Sequence, residues 1–239
     1  MIRGEILRAA DEFQIQLDDS QLDQLETFYN LILDWNEKIN LTNIIESRDF
    51  AIKNVIDSIS AFKAIEKISA ESISIIDVGT GAGFPSVPLK IFKPDLKFTL
   101  LDSLNKRVKF LETVKAELKF SNFECIHGRA EEFSRQAEFR EKFDVAISRA
   151  VARLRILSEL CLPFVKIDGI FVAMKSKNFL EEINESKNAV KILGGSKFET
   201  IDIKLPSLDD IRVLIVSKKV RVTDKKYPRN FGKIEKIPL

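Results

Sequence analysis

Three glycines at alternate positions, Gly79, Gly81 and Gly83, follow a short β-branched stretch and a carboxylate at Asp77. Glycine is needed where a chain turns sharply and where a ligand must approach the backbone more closely than a Cβ allows. The dinucleotide fingerprint places its third glycine three residues after the second, where this chain has Phe84. We therefore expect a nucleotide-type turn of another class, with Asp77 accepting hydrogen bonds from the turn or from a cationic group such as an α-amino group.

A second carboxylate, Asp102, ends the next β-branched stretch and is followed by Ser103. Because the carboxyl ends of parallel strands meet at one edge of a sheet, Asp102 is expected to face the same crevice as the glycine turn. A carboxylate in that place can accept hydrogen bonds from both hydroxyls of a ribose. The alternative is that Asp102 only caps the helix that follows it.

The third β-branched stretch ends in a turn that contains His127, the single histidine of the chain. The turn continues through Ala130 and Glu131 and can offer backbone amides to an aromatic base. His127 is a candidate catalytic base, but a lone histidine at the end of a strand more often has a structural hydrogen-bonding role. We expect the structural role.

These residues require a parallel sheet to bring them together, and the pattern from residue 72 onward predicts one. Short β-branched runs alternate with amphipathic stretches, which is typical of an α/β fold with helices on both faces of the sheet. The runs lie at 73–78, 97–101, 123–126, 145–148 and 170–174. Two more runs, 198–204 and 212–218, are too close for a crossover helix and predict an antiparallel hairpin at the sheet edge.

The N-terminal part of the chain is expected to be helical. Ser20 can cap a helix whose apolar residues, from Leu22 to Trp35, recur at three- and four-residue steps and form one buried stripe. This helix is expected to end near Asn40. A further helix is predicted over residues 49–65.

Charge is spread unevenly along the chain, and the spread matches the expected organisation. The first 70 residues contain 7 basic and 13 acidic side chains, whereas residues 217–239 contain 8 basic and 2 acidic ones. A basic segment suits a polyanion, although a solvated terminal face is the alternative. We expect a helical subdomain over 1–70 and a core with a basic tail over 71–239, with the seam near 69–74.

The composition excludes several classes of protein. The chain has 239 residues, of which 45% are apolar and 18 are Phe, so it can bury a sizeable core. Cys125, Cys161 and one histidine are too few ligands for a zinc or iron–sulfur site, and we expect no metal. Neither a signal peptide nor an apolar stretch long enough for a membrane span is found, so we expect a cytoplasmic protein without membrane contact.

The glycine turn resembles the D-x-G-x-G-x-G loop of S-adenosylmethionine-dependent methyltransferases. Further stretches follow one another in order along nearly the whole chain: WNEKINLT at 35–42, DS at 57–58, the turn at 77–88, LLDSLNKR at 100–107, GRAE at 128–131, SRAVA at 148–152, AMK at 173–175 and YPR at 227–229. Together they resemble the small-subunit ribosomal RNA (guanine-N7)-methyltransferase G family, also called glucose-inhibited division protein B.

The resemblance implies a Rossmann-like class I fold, with a seven-stranded, mostly parallel sheet and a helical N-terminal extension. It implies transfer of a methyl group from S-adenosyl-L-methionine to N7 of one guanine in 16S ribosomal RNA near the decoding centre. The partner is then 16S ribosomal RNA or the small ribosomal subunit, an assembly intermediate included, and we expect the enzyme to act as a monomer.

The resemblance also implies roles for individual residues. Arg149 would stand beside the cofactor and the incoming base, where its planar fork can donate to guanine O6 or to a phosphate, or form a structural salt bridge instead. Lys175 would face the same crevice and hold a phosphate, unless it is simply exposed; both are candidate catalytic residues. The predicted cofactor-binding residues are Asp77, Gly79, Gly81, Gly83, Phe84, Asp102, Ser103, Ala130, Glu131 and Arg149. The predicted RNA-binding residues are Lys175, Lys225, Lys226 and Arg229, with Tyr227 and Phe231 available to stack on unpaired bases.

The chain departs from the family pattern at four positions: Asn54 stands where relatives usually have His, Ser86 replaces a common Gly, Arg153 replaces Pro and Ser176 replaces Gly. Asn54 cannot carry a proton at neutral pH, so no mechanism that titrates that histidine applies here. Two other functions stay open. One is a non-catalytic nucleotide- or RNA-binding module. The other is an NAD-dependent oxidoreductase, which the glycine spacing and the lack of a Tyr-x-x-x-Lys pair disfavour.

Overall fold

The fold is that of a computed structural model, which describes residues 1–69, 72–149, 152–176, 179–208 and 211–239. Within these ranges seven strands form one sheet in the order β3-β2-β1-β4-β5-β7-β6. The strands are β1 Ser74–Val78, β2 Lys97–Asp102, β3 Phe123–His127, β4 Phe143–Arg149, β5 Val165–Lys175, β6 Glu199–Ile203 and β7 Arg212–Lys218. The first five are parallel, and β7 is antiparallel to both β5 and β6. The α/β fold and the antiparallel hairpin predicted from the sequence are thus confirmed.

The strand order reverses at β1, which has β2 on one side and β4 on the other. Asp77 accordingly lies level with Leu100 of β2 and with Ile147 of β4. In open α/β sheets, ligands bind in the crevice outside the carboxyl ends of the strands at such a reversal. The glycine turn and the end of β4 both open onto this crevice.

Helices cover both faces of the sheet, and several are short. They are α1 Ile2–Glu12, α2 Asp19–Asn36, α3 Ser47–Phe50, α4 Asp57–Ser60, α5 Phe62–Ile65, α6 Ser86–Phe92, α7 Asn105–Glu117, α8 Ala130–Phe133, α9 Leu154–Cys161, α10 Phe179–Ile192 and α11 Phe231–Lys236. A π-helix, Ala51–Ile56, joins α3 to α4, and a 3-10 turn, Leu162–Phe164, follows α9. No helix in the described ranges is long and apolar enough to cross a membrane.

Helix α2 begins and ends earlier than the sequence pattern predicts. Its N-cap is Asp18, not Ser20, because the Asp18 carboxylate accepts from the Gln21 N–H while the Gln21 side chain accepts from the Asp18 N–H. Such a reciprocal capping box satisfies two amides at once, which a serine two residues later does not. The helix ends at Asn36 because the Asn36 side chain bonds the backbone of Leu41 and Thr42.

The predicted helix over 49–65 is instead a succession of α3, the π-helix, α4 and α5. Single π turns are rare and often occur at functional sites, because they change which side chains face a neighbouring element. Here the π-helix contains Lys53 and Asn54, and α4 begins with Asp57. These three residues all contact the end of β4, as described below.

The N-terminal helices share a core with one face of the sheet. The aromatic ring of Phe28 on α2 lies 5.4 Å from that of Phe84, just after the glycine turn, and 6.4 Å from those of Phe50 and Phe110. A second apolar cluster fills the other face, where α9 packs against β4 and β5. The division into parts 1–70 and 71–239 stays a prediction, and residues 70 and 71 of its seam lie outside the described ranges.

Candidate cofactor and base-binding site

The three glycines of the turn have positive φ angles, of 74° at Gly79, 61° at Gly81 and 88° at Gly83. At Gly83 a Cβ would lie 2.7 Å from a methyl of Val87 and 2.9 Å from one of Leu111, so this glycine permits close packing of turn and helix. At Gly81 a Cβ would meet no described atom within 4 Å. The turn therefore leaves open space over the backbone of Gly81.

Asp102 ties the end of β2 to the glycine turn. One carboxylate oxygen accepts from the Gly81 N–H at 2.9 Å, and the other accepts from the Leu104 N–H at 2.9 Å. The guanidinium of Arg107 lies 3.5 Å away. Asp102 therefore does not cap α7, whose N-cap is Leu104 without a side-chain cap; it lies at the crevice, and each of its oxygens retains acceptor capacity for a ribose hydroxyl.

A cavity of about 470 Å³ lies against the turn, within the size range of small-molecule sites. Predicted cofactor-binding residues line it: Gly79, Gly81, Phe84, Asp102, Ser103 and Arg149. Leu41 and Thr42, from the loop after α2, line it as well and were not predicted. Open space over Gly81 and a carboxylate beside it fit an adenosyl group, whose ribose needs acceptors and whose rings need close approach to the backbone.

Asp77 lies beneath the turn and does not line this cavity. Its Oδ2 accepts from the Ser86 hydroxyl at 2.6 Å, and its Oδ1 has no hydrogen-bond partner among the described residues. Burial raises the pKa of Asp77 to about 7, against the opposing effect of the Ser86 hydroxyl. Its direct contact with a ligand amino group stays a prediction, and Ser86 is its observed partner.

The turn after β3 adjoins the end of β2, because the Gly128 N–H donates to the Asp102 carbonyl at 3.0 Å. Ala130 and Glu131 begin α8 there and are both 8% exposed, but they do not line the cavity at the glycine turn. Their contact with an adenine stays a prediction. His127 pairs through Nε2 with the Ser103 carbonyl at 3.1 Å, as expected of a structural histidine.

Arg149, the last residue of β4, reaches across to the N-terminal helices. It donates to the Lys53 carbonyl at 3.0 Å, to Asn54 Oδ1 at 3.1 Å and to Asp57 Oδ2 at 3.3 Å. Its guanidinium also lies 4.8 Å from the ring centroid of Phe84. Burial lowers the pKa of Arg149, and the Asp57 carboxylate opposes that shift.

A second cavity, of about 230 Å³, is also lined by Arg149. Its lining includes Lys53, Asn54, Asp57, Lys175 and Arg212 besides Arg149. Arg149 is thus shared by the cavity at the glycine turn and by this more basic one. A guanidinium at such a border can touch two ligands at once.

Lys175 lines the second cavity but is not a freely exposed cation. Its Nζ donates to the Ala152 carbonyl at 2.7 Å and pairs with the Glu182 carboxylate at 2.8 Å. Glu182 also accepts from the Leu154 N–H at 2.7 Å. Lys175 therefore anchors the segment after β4, of which residues 150 and 151 lie outside the described ranges. Its role as a phosphate ligand stays a prediction.

The basic tail is docked on the protein at some points and exposed at others. Lys225 and Lys226 are exposed, as a role in RNA binding requires. Arg229 instead pairs with the fully buried Glu159, its Nη2 lying 2.6 Å from a carboxylate oxygen. Tyr227 is only 9% exposed, so the expectation that its ring is available for stacking is wrong. Phe231 is half-buried, and the Arg129 guanidinium lies over its ring.

The sequence reasoning missed the N-terminal contribution to the site. Asp57 belongs to the DS stretch that resembles the family, and Asn54 stands where the chain departs from the family pattern, but neither was assigned a binding role from the sequence. The sequence does contain a signal for this role, because Asn54 and Asp57 are polar residues within the otherwise apolar run of the helix predicted over 49–65. In the part of the chain that the structure describes, no group of three His, Cys, Asp or Glu side chains could hold a metal ion.

Comparisons with known proteins agree on one family. Residues 21–207 match the family model described as rRNA small subunit methyltransferase G. A protein of that name from Desulforamulus reducens is 46% identical over 97% of this chain and 96% of its own length. One from Alkaliphilus oremlandii is 45% identical over 100% and 99%, and one from Lactococcus lactis is 44% identical over the full length of both.

Solved structures share the fold at low sequence identity. The precorrin-6y C5,15-methyltransferase of Geobacter metallireducens is 10% identical with a TM-score of 0.50, over 77% of this chain and 95% of that one. The CurJ carbon methyltransferase is 13% identical with a TM-score of 0.53, over 92% and 68%. These likenesses support the class I methyltransferase fold.

Proposed function

Because the chain belongs to the rRNA small subunit methyltransferase G family, we propose that it transfers the methyl group of S-adenosyl-L-methionine to N7 of a guanine in 16S ribosomal RNA. The observation that carries this proposal is the position of Arg149. It borders both the cavity at the glycine turn and the smaller basic cavity. A methyl donor in the first and a base in the second would meet at this guanidinium.

The residues at the glycine turn suit the adenosyl end of the donor. Asp102 would accept from the ribose hydroxyls, Gly81 leaves room over the backbone, and Phe84 packs beneath Arg149. When bound, S-adenosyl-L-methionine supplies an electrophilic methyl group on a sulfonium. The contribution of the chain is to hold two reactants in line, and alignment of this kind is worth roughly 7–11 kcal/mol of barrier.

The chemistry at guanine N7 needs no proton transfer from the protein. N7 has a lone pair in the plane of the base and no hydrogen, so attack does not require a general base. The lining of both cavities agrees with this, since His127 lies outside them and pairs with a backbone carbonyl. Arg149, whose guanidinium cannot act as a base, can donate to O6 and orient the purine.

The RNA would cross the exposed part of the basic tail. Lys225 and Lys226 are exposed and lie near residues whose side chains dock the tail, Arg135 and Arg140 among them. Contacts between lysines and phosphates fix orientation without reading sequence. The proposed substrate is 16S ribosomal RNA or the small subunit, in the cytoplasm.

The test is to map N7-methylguanosine in 16S ribosomal RNA from cells that lack this protein. We expect one guanine to lose the mark, and wild-type protein to restore it while Arg149→Ala does not. A mark that persists in the deletion contradicts the proposal. Tight binding of S-adenosyl-L-methionine to the purified protein without transfer to RNA would indicate a non-catalytic binding module.

A further inference from the structure

The smaller cavity beside Arg149 has the size and the lining of a pocket for one base. Its volume of about 230 Å³ is below the roughly 300–1,000 Å³ of sites for drug-sized ligands. Apolar side chains of Met174, Ile203 and Leu214 form part of its wall. Enzymes that modify a nucleobase take it out of the stack into a fitted pocket with apolar walls and a few polar groups.

Asp57 is the one carboxylate that lines this cavity in the part of the chain described. Its Oδ2 lies 3.3 Å from Arg149 Nη1, and its Oδ1 lies 3.8 Å from Arg212 Nε. Tight charge-assisted hydrogen bonds are about 2.7–2.9 Å long, and the pair of Arg229 and Glu159 reaches 2.6 Å. The Asp57 carboxylate is therefore held loosely and can still accept hydrogen bonds.

The solvation of Asp57 points the same way. Burial raises the pKa of this carboxyl, although Arg149 and Arg212 both oppose the rise. A carboxylate that is short of hydrogen-bond donors gains free energy when N–H groups reach it. A base with two adjacent N–H donors would supply them.

Arg149 has hydrogen-bond donors to spare. Three hydrogen bonds of Arg149, to Lys53, Asn54 and Asp57, use three of the five N–H donors of a guanidinium. The other two have no hydrogen-bond partner among the residues described. The Asn54 amide accepts from Arg149 at 3.1 Å and donates to the Ile44 carbonyl at 3.5 Å, so Asn54 helps to hold the guanidinium in place.

Building on the proposed function, we propose that Asp57 and Arg149 together recognise the guanine by its Watson–Crick edge. Asp57 accepts from N1–H and from the N2 amino group, while Arg149 donates to O6. From Arg149 to Asp57, the pair presents one donor followed by two acceptors. These match O6, N1–H and the N2 amino group of guanine in that order. Adenine would turn its N6 amino donor toward Arg149 and offer no N–H at N1, so the pair rejects it.

This orientation also places the reacting atom. N7 is next to O6 on the purine, on the side away from N1 and N2. With O6 at Arg149, and with N1–H and the N2 amino group at Asp57, N7 lies on the side of Arg149. That side borders the cavity at the glycine turn. Asp57 is thus a specificity-determining residue that also sets the direction of the base.

The experiment compares two 16S ribosomal RNAs that differ at the methylated position only, one with guanosine and one with inosine, which lacks the N2 amino group. The value of kcat/KM for methyl transfer is measured with the wild-type protein, with Asp57→Asn and with Asp34→Asn, a control at an exposed carboxylate of α2. A hydrogen bond to a charged group is worth about 1.5–3 kcal/mol, which is about 10- to 160-fold in rate.

We expect the wild-type protein and Asp34→Asn to prefer guanosine by that factor. Asp57→Asn should slow transfer to both RNAs, because both keep N1–H, but it should slow guanosine RNA more, because only guanosine has the N2 amino group. The preference for guanosine should therefore fall to within about threefold. Equal rates of the wild-type protein on the two RNAs overturn the inference, and this comparison stands even if Asp57→Asn does not fold. Equal slowing of Asp57→Asn on both RNAs also overturns it, since that indicates a structural role. If the wild-type protein methylates neither RNA, the proposed function itself fails.

Discussion

The ion pair between Arg229 and Glu159 should anchor the C-terminal tail. Glu159 is fully buried, and the Arg229 side chain is only 14% exposed. One Glu159 oxygen accepts from the Arg229 backbone N–H at 2.8 Å and from Nε at 2.9 Å, and the other accepts from Nη2 at 2.6 Å. Arg229→Ala would remove the two side-chain donors and leave a buried charge with one backbone donor.

Removing one partner of a buried pair costs about 3–5 kcal/mol. Because the backbone N–H of residue 229 still donates to Glu159, we expect the free energy of unfolding to fall by about 3 kcal/mol, the lower end of this range. In a chain of this size each kcal/mol lowers the melting temperature by about 2–4 °C. Arg229→Ala should therefore melt about 6–12 °C below the wild-type protein.

Thermal unfolding followed by circular dichroism, with urea unfolding as a second measurement, tests this value. Lys226→Ala is the matched control, because its ammonium is 65% exposed and lies 3.6 Å from an exposed Asp224; its unfolding free energy should change by less than about 0.5 kcal/mol. The double variant Arg229→Met with Glu159→Leu should recover most of the loss, since no charge is then buried alone. A melting temperature of Arg229→Ala within 2 °C of the wild type would show that the ion pair does not stabilise the fold.

Three further predictions follow from the turn and the tail. Gly81→Ala should weaken S-adenosyl-L-methionine binding, measured by calorimetry, more than it lowers stability, because its Cβ enters open space at a strain of about 1–2 kcal/mol. Gly83→Ala should mainly lower the melting temperature, because its Cβ would meet packed side chains. A larger loss of binding in Gly83→Ala and a larger loss of stability in Gly81→Ala would contradict these assignments. Because burial raises the pKa of Asp77 from 3.8 to about 7, the unfolded chain loses this proton first and stability is lost as pH rises from about 4 to 7. Urea unfolding of Asp77→Asn should then show a gain of up to about 4 kcal/mol over the wild type at pH 8 and little at pH 4; an equal gain at both pH values would exclude the titration. Lys225→Ala and Lys226→Ala should each reduce the slope of log affinity against log salt for single-stranded RNA by about 0.7, whereas unchanged slopes would remove these lysines from the RNA surface.

The sequence predicted the sheet and the glycine turn well because both depend on local patterns. Alternating β-branched runs indicate strands whatever lies around them. The need for a positive φ at Gly81 and Gly83 is a property of the turn itself. The position of Asp102 at the crevice follows from strand order, which the alternation of strands and helices restricts.

The sequence did not predict the base pocket, because it depends on contacts between distant residues. Arg149 meets the carbonyl of Lys53, which is 96 residues away, and the π-helix that exposes this carbonyl has no simple pattern. The docking of Arg229 on the protein was not predicted for a similar reason. Composition shows that a segment is basic, but only the fold shows that a buried Glu159 lies 70 residues from Arg229 and pairs with it.

We propose that the glycine turn holds an adenosyl sulfonium against Arg149, next to a pocket for one base. A crystal structure of the protein with S-adenosylhomocysteine is the decisive measurement. We expect the ribose at Asp102, the adenosine over Gly81 and the sulfur facing Arg149. A ligand bound elsewhere, or a pocket that side chains still fill in the presence of S-adenosylhomocysteine, would exclude this arrangement.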